Sequence, residues 1–376
     1  FRKVIQCTHP QGVMTCYSAY DGIPVTGSSY FLQEILRDTL GFDGYVYSDW
    51  GAVERLMTFH HAVASREDAA LMALKAGVDV NVDSSYECLE GLVKDGKLSE
   101  DLIDNAVRHI LTVKFKLGLF DNDYASPEQI EKKVRSAEKI ALSREIAEES
   151  VILLENKNGI LPLSLDKYKS IALIGPNAAQ TVMGDYSWTS SDTKEGVNLL
   201  DGLRLVCGNK IQINYAEGCD WWSQDTTKIA EAVEKVSRSD IAIVAIGTRS
   251  TYLGRSPEKS TSGEGFDLSS LELPGKQLEL LKAVKKVGKP IVVCFIAGKP
   301  LAIPWVKEHA DAVLVQWYGG EQQGIALANI LCGNVNPSGK LNVSFPRSTG
   351  NTPCFYNHYV TDREEPFDKP GTINEP

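Results

Sequence analysis

The apolar residues change period along the chain, and the period marks out the elements. Residues 12–17 form a short apolar run that reads as a strand, and Tyr45-Val46-Tyr47 reads as another. Between them Phe31, Leu32, Ile35 and Leu36 recur at helical spacing. Ser28 or Ser29 ahead of them can cap that helix by accepting a backbone N–H. The pattern predicts a helix over 65–76, a strand over 77–82 and a helix over 99–117. In the last, Ser99 is the cap and Glu100 and Asp101 suit the positive end. Leu102, Ile103, Ala106, Val107, Ile110 and Leu111 line one face. Strand and helix in alternation predict parallel β/α units.

The stretch 121–128, Asp-Asn-Asp-Tyr-Ala-Ser-Pro-Glu, is the clearest break in the pattern. After it a helix is predicted over 137–150, followed by the apolar run 151–154. Strands follow at 171–175, 241–246, 291–296 and 312–316, separated by helices at 226–237, 275–286 and 321–331. These strands are apolar throughout, as strands covered on both faces should be. The expectation is a three-layer α/β domain over 138–348, reached from residues 1–125 through a linker at 126–137. Residues 349–376, rich in Pro, Asp, Glu and Asn, are expected to be an irregular tail.

Composition adds limits. The chain has 376 residues, 43% hydrophobic and 23% charged, which is ample core for two domains. A net charge of -10 argues against nucleic acid or an anionic membrane as partner, since both call for a basic patch. No apolar run reaches the roughly 20 residues that a membrane-spanning helix needs. The eight cysteines show neither a C-x-x-C pair nor the Cys/His spacing of a zinc site, and Cys294 reads as a small core hydrophobe. His60-His61 has no third ligand nearby, so no metal is expected. No phosphate loop or dinucleotide motif follows Ile174-Gly175, and no cofactor is expected. The opening Phe1-Arg2-Lys3-Val4-Ile5 has none of the features of a signal peptide, and a fragment is suspected.

Two places carry candidate chemistry. Asp49 stands where the strand at 45–47 ends, beside Trp50 and ahead of Gly51. Side chains at the C-terminal ends of parallel strands are where sites form in such folds. Tyr17, at the end of the preceding strand, should lie next to it. A lone aspartate there is more often a cap for the next turn; the alternative is an ionised carboxylate with an aromatic wall for a sugar face. The second place is the long polar loop 256–275, SPEKSTSGEGFDLSSLELPG, after the strand at 241–246. It offers Glu258, Glu264 and Asp267, with Glu264 between Gly263 and Gly265; taken alone, a solvated acidic loop is the commoner case. Two carboxylates on different domains suit glycosidic-bond chemistry, one as nucleophile and one as proton donor. A gap of about 5 Å between them gives retention and a wider gap inversion. Trp188 and Trp221-Trp222 are candidate sugar platforms or core residues, and Glu321 is placed to serve a helix N-terminus.

The segment VMTCYSAYDGIPVTGSSYFLQEILRDTLGFDGYVYSDWGAV resembles glycoside hydrolase family 3, and so do EGFDLSSLELPGKQLELLKAV, VCFIAGKPLAIPW and ILCGNVNPSGKLNVSFP further on. The likeness runs from residue 1 to about 348. It implies an α/β chain made of the C-terminal part of a (β/α)8 TIM-like barrel followed by a three-layer α/β sandwich domain. It implies a retaining, exo-acting β-glucosidase, with Asp49 as nucleophile, Met14, Tyr17 and Trp50 at the substrate, and Glu264 as acid/base. Leu268 replaces the arginine of the family's S-G-E-G-x-D-R loop, so Glu258 stays in play for the last role. A β-xylosidase is the near alternative and an incomplete sugar-binding fragment the distant one. The resemblance also implies an upstream half barrel that grips the sugar, a small oligosaccharide or glycoside as substrate, and a periplasmic or secreted setting. A half barrel with unpaired strand edges is expected to fold poorly or to associate, a homodimer being the form of association expected.

Overall fold

The computed structural model describes residues 1–121, 127–187, 196–250, 259–266 and 268–355. The chain divides into two compact units, Phe1–Ile130 and Glu131–Pro376.

In the first unit, strand β1 (Gly12–Met14) is followed by a hairpin of β2 (Ala19–Tyr20) and β3 (Ile23–Pro24), and then by β4 (Tyr45–Tyr47). The hairpin turns on Asp21 (φ 50°) and Gly22 (φ 78°), the left-handed pair that a two-residue loop needs. β1 and β4 are parallel, with Gly12 opposite Tyr45 and Met14 opposite Tyr47. The segment between them, Tyr30–Thr39, is wound as a π-helix, and its end shows the wide turn directly: Leu40 N–H donates to the Ile35 carbonyl at 3.0 Å. Its apolar side buries Leu32 and Leu36 against Val46, Val53, Leu56 and Val78. Helices Arg66–Ala76 and Glu100–Lys116 begin at Ser65 and Ser99, whose side chains accept from Asp68 N–H and Asp101 N–H.

Two expectations are corrected here. The strand predicted over 12–17 stops at Met14. The strand predicted over 77–82 is a single parallel bridge, Tyr47 to Val80. The reason is side-chain competition for the backbone. The Asp79 carboxylate accepts Val46 N–H at 2.8 Å, and Val46 O in turn accepts from both Asp79 N–H and Val80 N–H, which leaves no regular ladder.

The second unit is built on one six-stranded mixed sheet. Its strands are β5 (Ile152–Asn156), β6 (Ser170–Ile174), β7 (Gln212–Ala216), β8 (Ile241–Gly247), β9 (Ile291–Ile296) and β10 (Ala312–Gln316), in the order β5-β10-β9-β8-β6-β7. All pairs are parallel except β5 with β10. Alternate residues of the central strands enter two separate cores. Ile241, Ile243, Val292, Cys294 and Leu314 pack with helices Leu199–Cys207 and Gln323–Leu331. Val244, Ile246, Val293, Phe295 and Val313 pack with helices Ile229–Ser237, Gln277–Lys285 and Pro304–His309. Every residue of β8 is buried, so each Ile or Val there contributes about 1.5–3 kcal/mol of transfer free energy. The apolar runs were legible for this reason. β7 was not expected, because as an edge strand it alternates: Gln212 and Asn214 are polar between Ile213 and Tyr215. The helix Leu199–Cys207, capped by Asn198 accepting from Asp201 N–H, was also not expected.

Among the described residues no helix is long and apolar enough to cross a membrane.

Candidate functional sites

The first candidate carboxylate leaves a fixed strand end. Ser48 is fully buried; its N–H donates to Val80 O at 2.8 Å, and its hydroxyl accepts Val82 N–H and the Asn81 amide. Asp49 follows, half-buried, and one of its oxygens accepts Trp50 N–H at 2.7 Å. Tyr17 reaches the residue after it. Its hydroxyl donates to the Trp50 carbonyl at 2.7 Å, and the Arg55 guanidinium covers its ring at 4.2 Å. The chain turns away at Gly51, in the left-handed region at φ 65°, with its N–H held by Asp83 at 2.9 Å. Burial alone would raise the Asp83 carboxyl. Hydrogen bonds from Ser85, Asn81 and Gly51 outweigh that and hold it below the usual aspartate range. Trp50 is 71% exposed and Met14 49% exposed, so both present apolar surface outward. The structure therefore gathers Tyr17, Asp49 and Trp50 and sets Met14 at the end of the adjoining strand. Arg55 and Asp83, which fix the turn, had not been singled out in the sequence.

The second carboxylate sits in a loop tied down from both sides. Thr248 follows β8, and its hydroxyl meets that of Tyr318 at 2.7 Å and accepts Gly298 N–H at 2.9 Å. Tyr318, just after β10, also meets the Ser262 hydroxyl at 2.5 Å. Burial raises the Tyr318 phenol, with these hydroxyl contacts pulling the other way. Two residues on, Glu264 is exposed, between Gly263 (φ 122°) and Gly265 (φ 78°). Its N–H donates to Asp185 Oδ2 at 2.6 Å, and its carboxylate accepts from the Tyr186 hydroxyl. The other Asp185 oxygen accepts from Ser250. The anchor thus comes from the segment after β6, which had not been singled out. The rule used for 256–275 applies equally to that segment, another long polar stretch after a strand. Glu258, Asp267 and Trp188 lie outside the described residues.

Other candidates take structural places. Trp221 is buried, donates to Asn177 Oδ1 at 2.9 Å and stacks on Trp222, with Arg249 over both rings. Glu321 pairs with Arg135 at 3.0 Å. Cys294 is buried, and desolvation pushes its thiol up to about 12. Lys299, just after β9, is drawn down to about 8 by burial, with no ion pair offsetting it among the described residues. Among the described residues no group of three or more His, Cys, Asp or Glu could hold a metal ion. A groove of about 1330 Å³ is lined by residues such as Leu154, Ile303, Leu341 and Phe355 and by none of the candidate residues.

Residues 1–113 match the glycosyl hydrolase family 3 N terminal domain and residues 151–371 the glycosyl hydrolase family 3 C-terminal domain. The chain belongs to glycosyl hydrolase family 3. Among family 3 relatives, a β-xylosidase of Formosa agariphila is 38% identical over 366 residues, covering 92% of this chain and 48% of the relative. A periplasmic β-glucosidase of Salmonella typhimurium is 34% identical, covering 95% and 49%. Among solved structures, a β-glucosidase from Listeria innocua in complex with glucose superposes with a TM-score of 0.84 at 33% identity, covering 98% of this chain and 49% of that one. A β-glucosidase from Erythrobacter marinus gives 0.86 at 34%, covering 94% and 50%. The chain spans about half the length of the curated relatives it matches.

Proposed function

We propose that this chain carries both reactive carboxylates of a retaining, exo-acting β-glucosidase that removes terminal non-reducing β-D-glucosyl residues from oligosaccharides. Asp49 attacks the anomeric carbon and forms the glycosyl-enzyme. Glu264 protonates the leaving oxygen and then takes a proton from the attacking water. Trp50, Tyr17 and Met14 shape the sugar-binding surface. The first unit is read as the C-terminal part of a (β/α)8 barrel and the second as a three-layer α/β sandwich, with the setting periplasmic or secreted.

The observation that carries this reading is the placement of Asp49. It is half-buried at the C-terminal end of a parallel strand, its backbone fixed by Ser48 and its exit held by Tyr17, Gly51 and Asp83. The names of the relatives support a β-linked glucosyl or xylosyl substrate, and the Listeria structure, with glucose bound, favours the former.

The test is an activated 2-deoxy-2-fluoro-β-glucoside, whose fluorine slows hydrolysis of the glycosyl-enzyme. Peptide mass mapping should find one fluoroglucosyl group on the peptide that holds Asp49, and none in Asp49→Ala. Labelling of the xylo reagent alone would move the substrate to a β-xyloside. A label on another carboxylate, or none with either reagent, would sink the assignment.

A further inference from the structure

Two sulfurs in the second unit lie far closer than packing alone requires. Cys207 Sγ and Cys332 Sγ are 3.1 Å apart, though 125 residues separate them. Each is the last residue of, or the residue just after, a helix in the same core: Cys207 ends Leu199–Cys207, and Cys332 follows Gln323–Leu331. Each is followed by Gly-Asn, and both glycines have left-handed φ, 54° at Gly208 and 80° at Gly333. The helices are held together at a glycine contact. A Cβ on Gly202 would lie 2.2 Å from Gly324 O, so no larger residue separates the two backbones there. Leu203, Leu327, Ala328 and Leu331 fill the core around that crossing. The sulfur separation is therefore set by the packing of two helices and not by a loose side chain.

We propose that Cys207 and Cys332 form a reversible disulfide, a redox modification site within the second unit. The sulfurs need to close by about 1 Å to reach bonding distance. The oxidant is a low-molecular-weight disulfide. Cys332, the more exposed of the two, passes its proton to the Cys207 sulfur and attacks one sulfur of that disulfide. A mixed disulfide forms and one small thiol leaves. Cys207, as thiolate, then attacks the Cys332 sulfur and expels the second thiol. The balance is two protein thiols and one small disulfide in, one protein disulfide and two small thiols out. In the reduced pair the thiol–thiol contact lowers Cys207 and raises Cys332, so the shared proton rests on Cys332; once Cys332 carries the mixed disulfide that contact is gone, and the Lys210 ammonium remains to favour the Cys207 thiolate against burial. The exposed cysteines, Cys7 and Cys16, lie in the first unit, and Cys354, half-buried like Cys332, lies in the second.

The bond would close the span 208–331, which holds β8, β9, β10 and the loop of Glu264. Its effect is on the stability of this unit and is independent of the catalytic assignment. The chain is equilibrated with oxidised glutathione or with a phosphine reductant, then alkylated and mapped by mass spectrometry without reduction. The expected result is a single cross-linked peptide pair, 2 Da lighter than the two thiol peptides together, joining Cys207 to Cys332. It should come with a melting temperature raised by roughly 5–15 °C over the reduced chain. Cys207→Ala and Cys332→Ala should each abolish the cross-link and the shift while keeping the melting temperature of the reduced wild type within a few degrees. Recovery of Cys207 and Cys332 as separate alkylated or glutathionylated peptides after oxidation of the wild type would overturn the proposal, whatever the variants do. So would a cross-link that joins either of them to a different cysteine.

Discussion

Removing the Asp79 carboxylate should unfold β4, the strand that leads to Asp49. Asp79 is nearly fully buried and serves three partners from three elements. Oδ2 accepts from Arg37 at 2.7 Å and from Val46 N–H in β4 at 2.8 Å; Oδ1 lies 2.8 Å from His109 Nδ1 on helix Glu100–Lys116. The Arg37 side chain is only 11% exposed, and burial lowers its pKa despite the aspartate beside it. Asp79→Ala leaves that guanidinium and Val46 N–H without their carboxylate, and a buried charge stripped of its partner costs about 3–5 kcal/mol. At about 1.4 kcal/mol per tenfold, the loss raises the opening equilibrium of β4 by about 10²–10⁴. Hydrogen exchange read by mass spectrometry on a peptide spanning 45–50 measures this directly, and peptides from β8 serve as an internal reference. The double variant Arg37→Met with Asp79→Leu removes both charges and should recover a large part of the loss. A single variant that exchanges within tenfold of the wild type would refute the reasoning. So would a double variant as damaged as the two single ones added.

Tyr318→Phe should cost about 1–2 kcal/mol and speed exchange over 261–266 while β9 stays protected, because Ser262 and Thr248 lose a shared hydroxyl partner; unchanged loop exchange would count against the anchor. Gly202→Ala should destabilise by about 1–3 kcal/mol through overpacking against Gly324 O, seen in urea unfolding, and should also block the Cys207–Cys332 cross-link. Lys299 has a folded-state pKa of about 8 against 10.5 unfolded, so the unfolded chain holds the extra proton between those values and stability rises with pH across that window. Lys299→Met should therefore be more stable than wild type at pH 7, by about 1 kcal/mol after discounting partial exposure, with the gap closing as pH approaches 10. A difference constant from pH 7 to 10 would refute this.

What could be read from the chain beforehand follows from how each signal arises. β6, β8, β9 and β10 are covered on both faces, so burial itself writes an apolar run. Ser99 caps its helix by a local contact within three residues, and such a contact survives in any sequence window. The position of Asp49 just past a strand was legible because a strand end and a Trp-Gly exit are also local. Asp185 and Tyr186 were not, because their contacts to Glu264 span 79 and 78 residues and no period links them. The same holds for Cys207 and Cys332, whose shared Cys-Gly-Asn triplets gave no spacing rule. The strand expected at 77–82 failed for the opposite reason. The apolar alternation is real, but Asp79 spends its carboxylate on the neighbouring backbone and replaces the ladder that the alternation implied.

Gly263 carries a consequence for how this loop can diverge. Its φ of 122° already disfavours any side chain, and a Cβ there would fall 2.6 Å from Asp185 Oδ2. Position 263 is thus closed twice, once by its own backbone and once by a residue from another strand's loop. A lineage that replaces Asp185 with a smaller residue removes the second barrier and at the same time the acceptor for Glu264 N–H. The two positions therefore share one evolutionary fate: drift at either should appear only together with a rebuilt loop, and a change at 263 over an unchanged Asp185 should be absent from functional descendants.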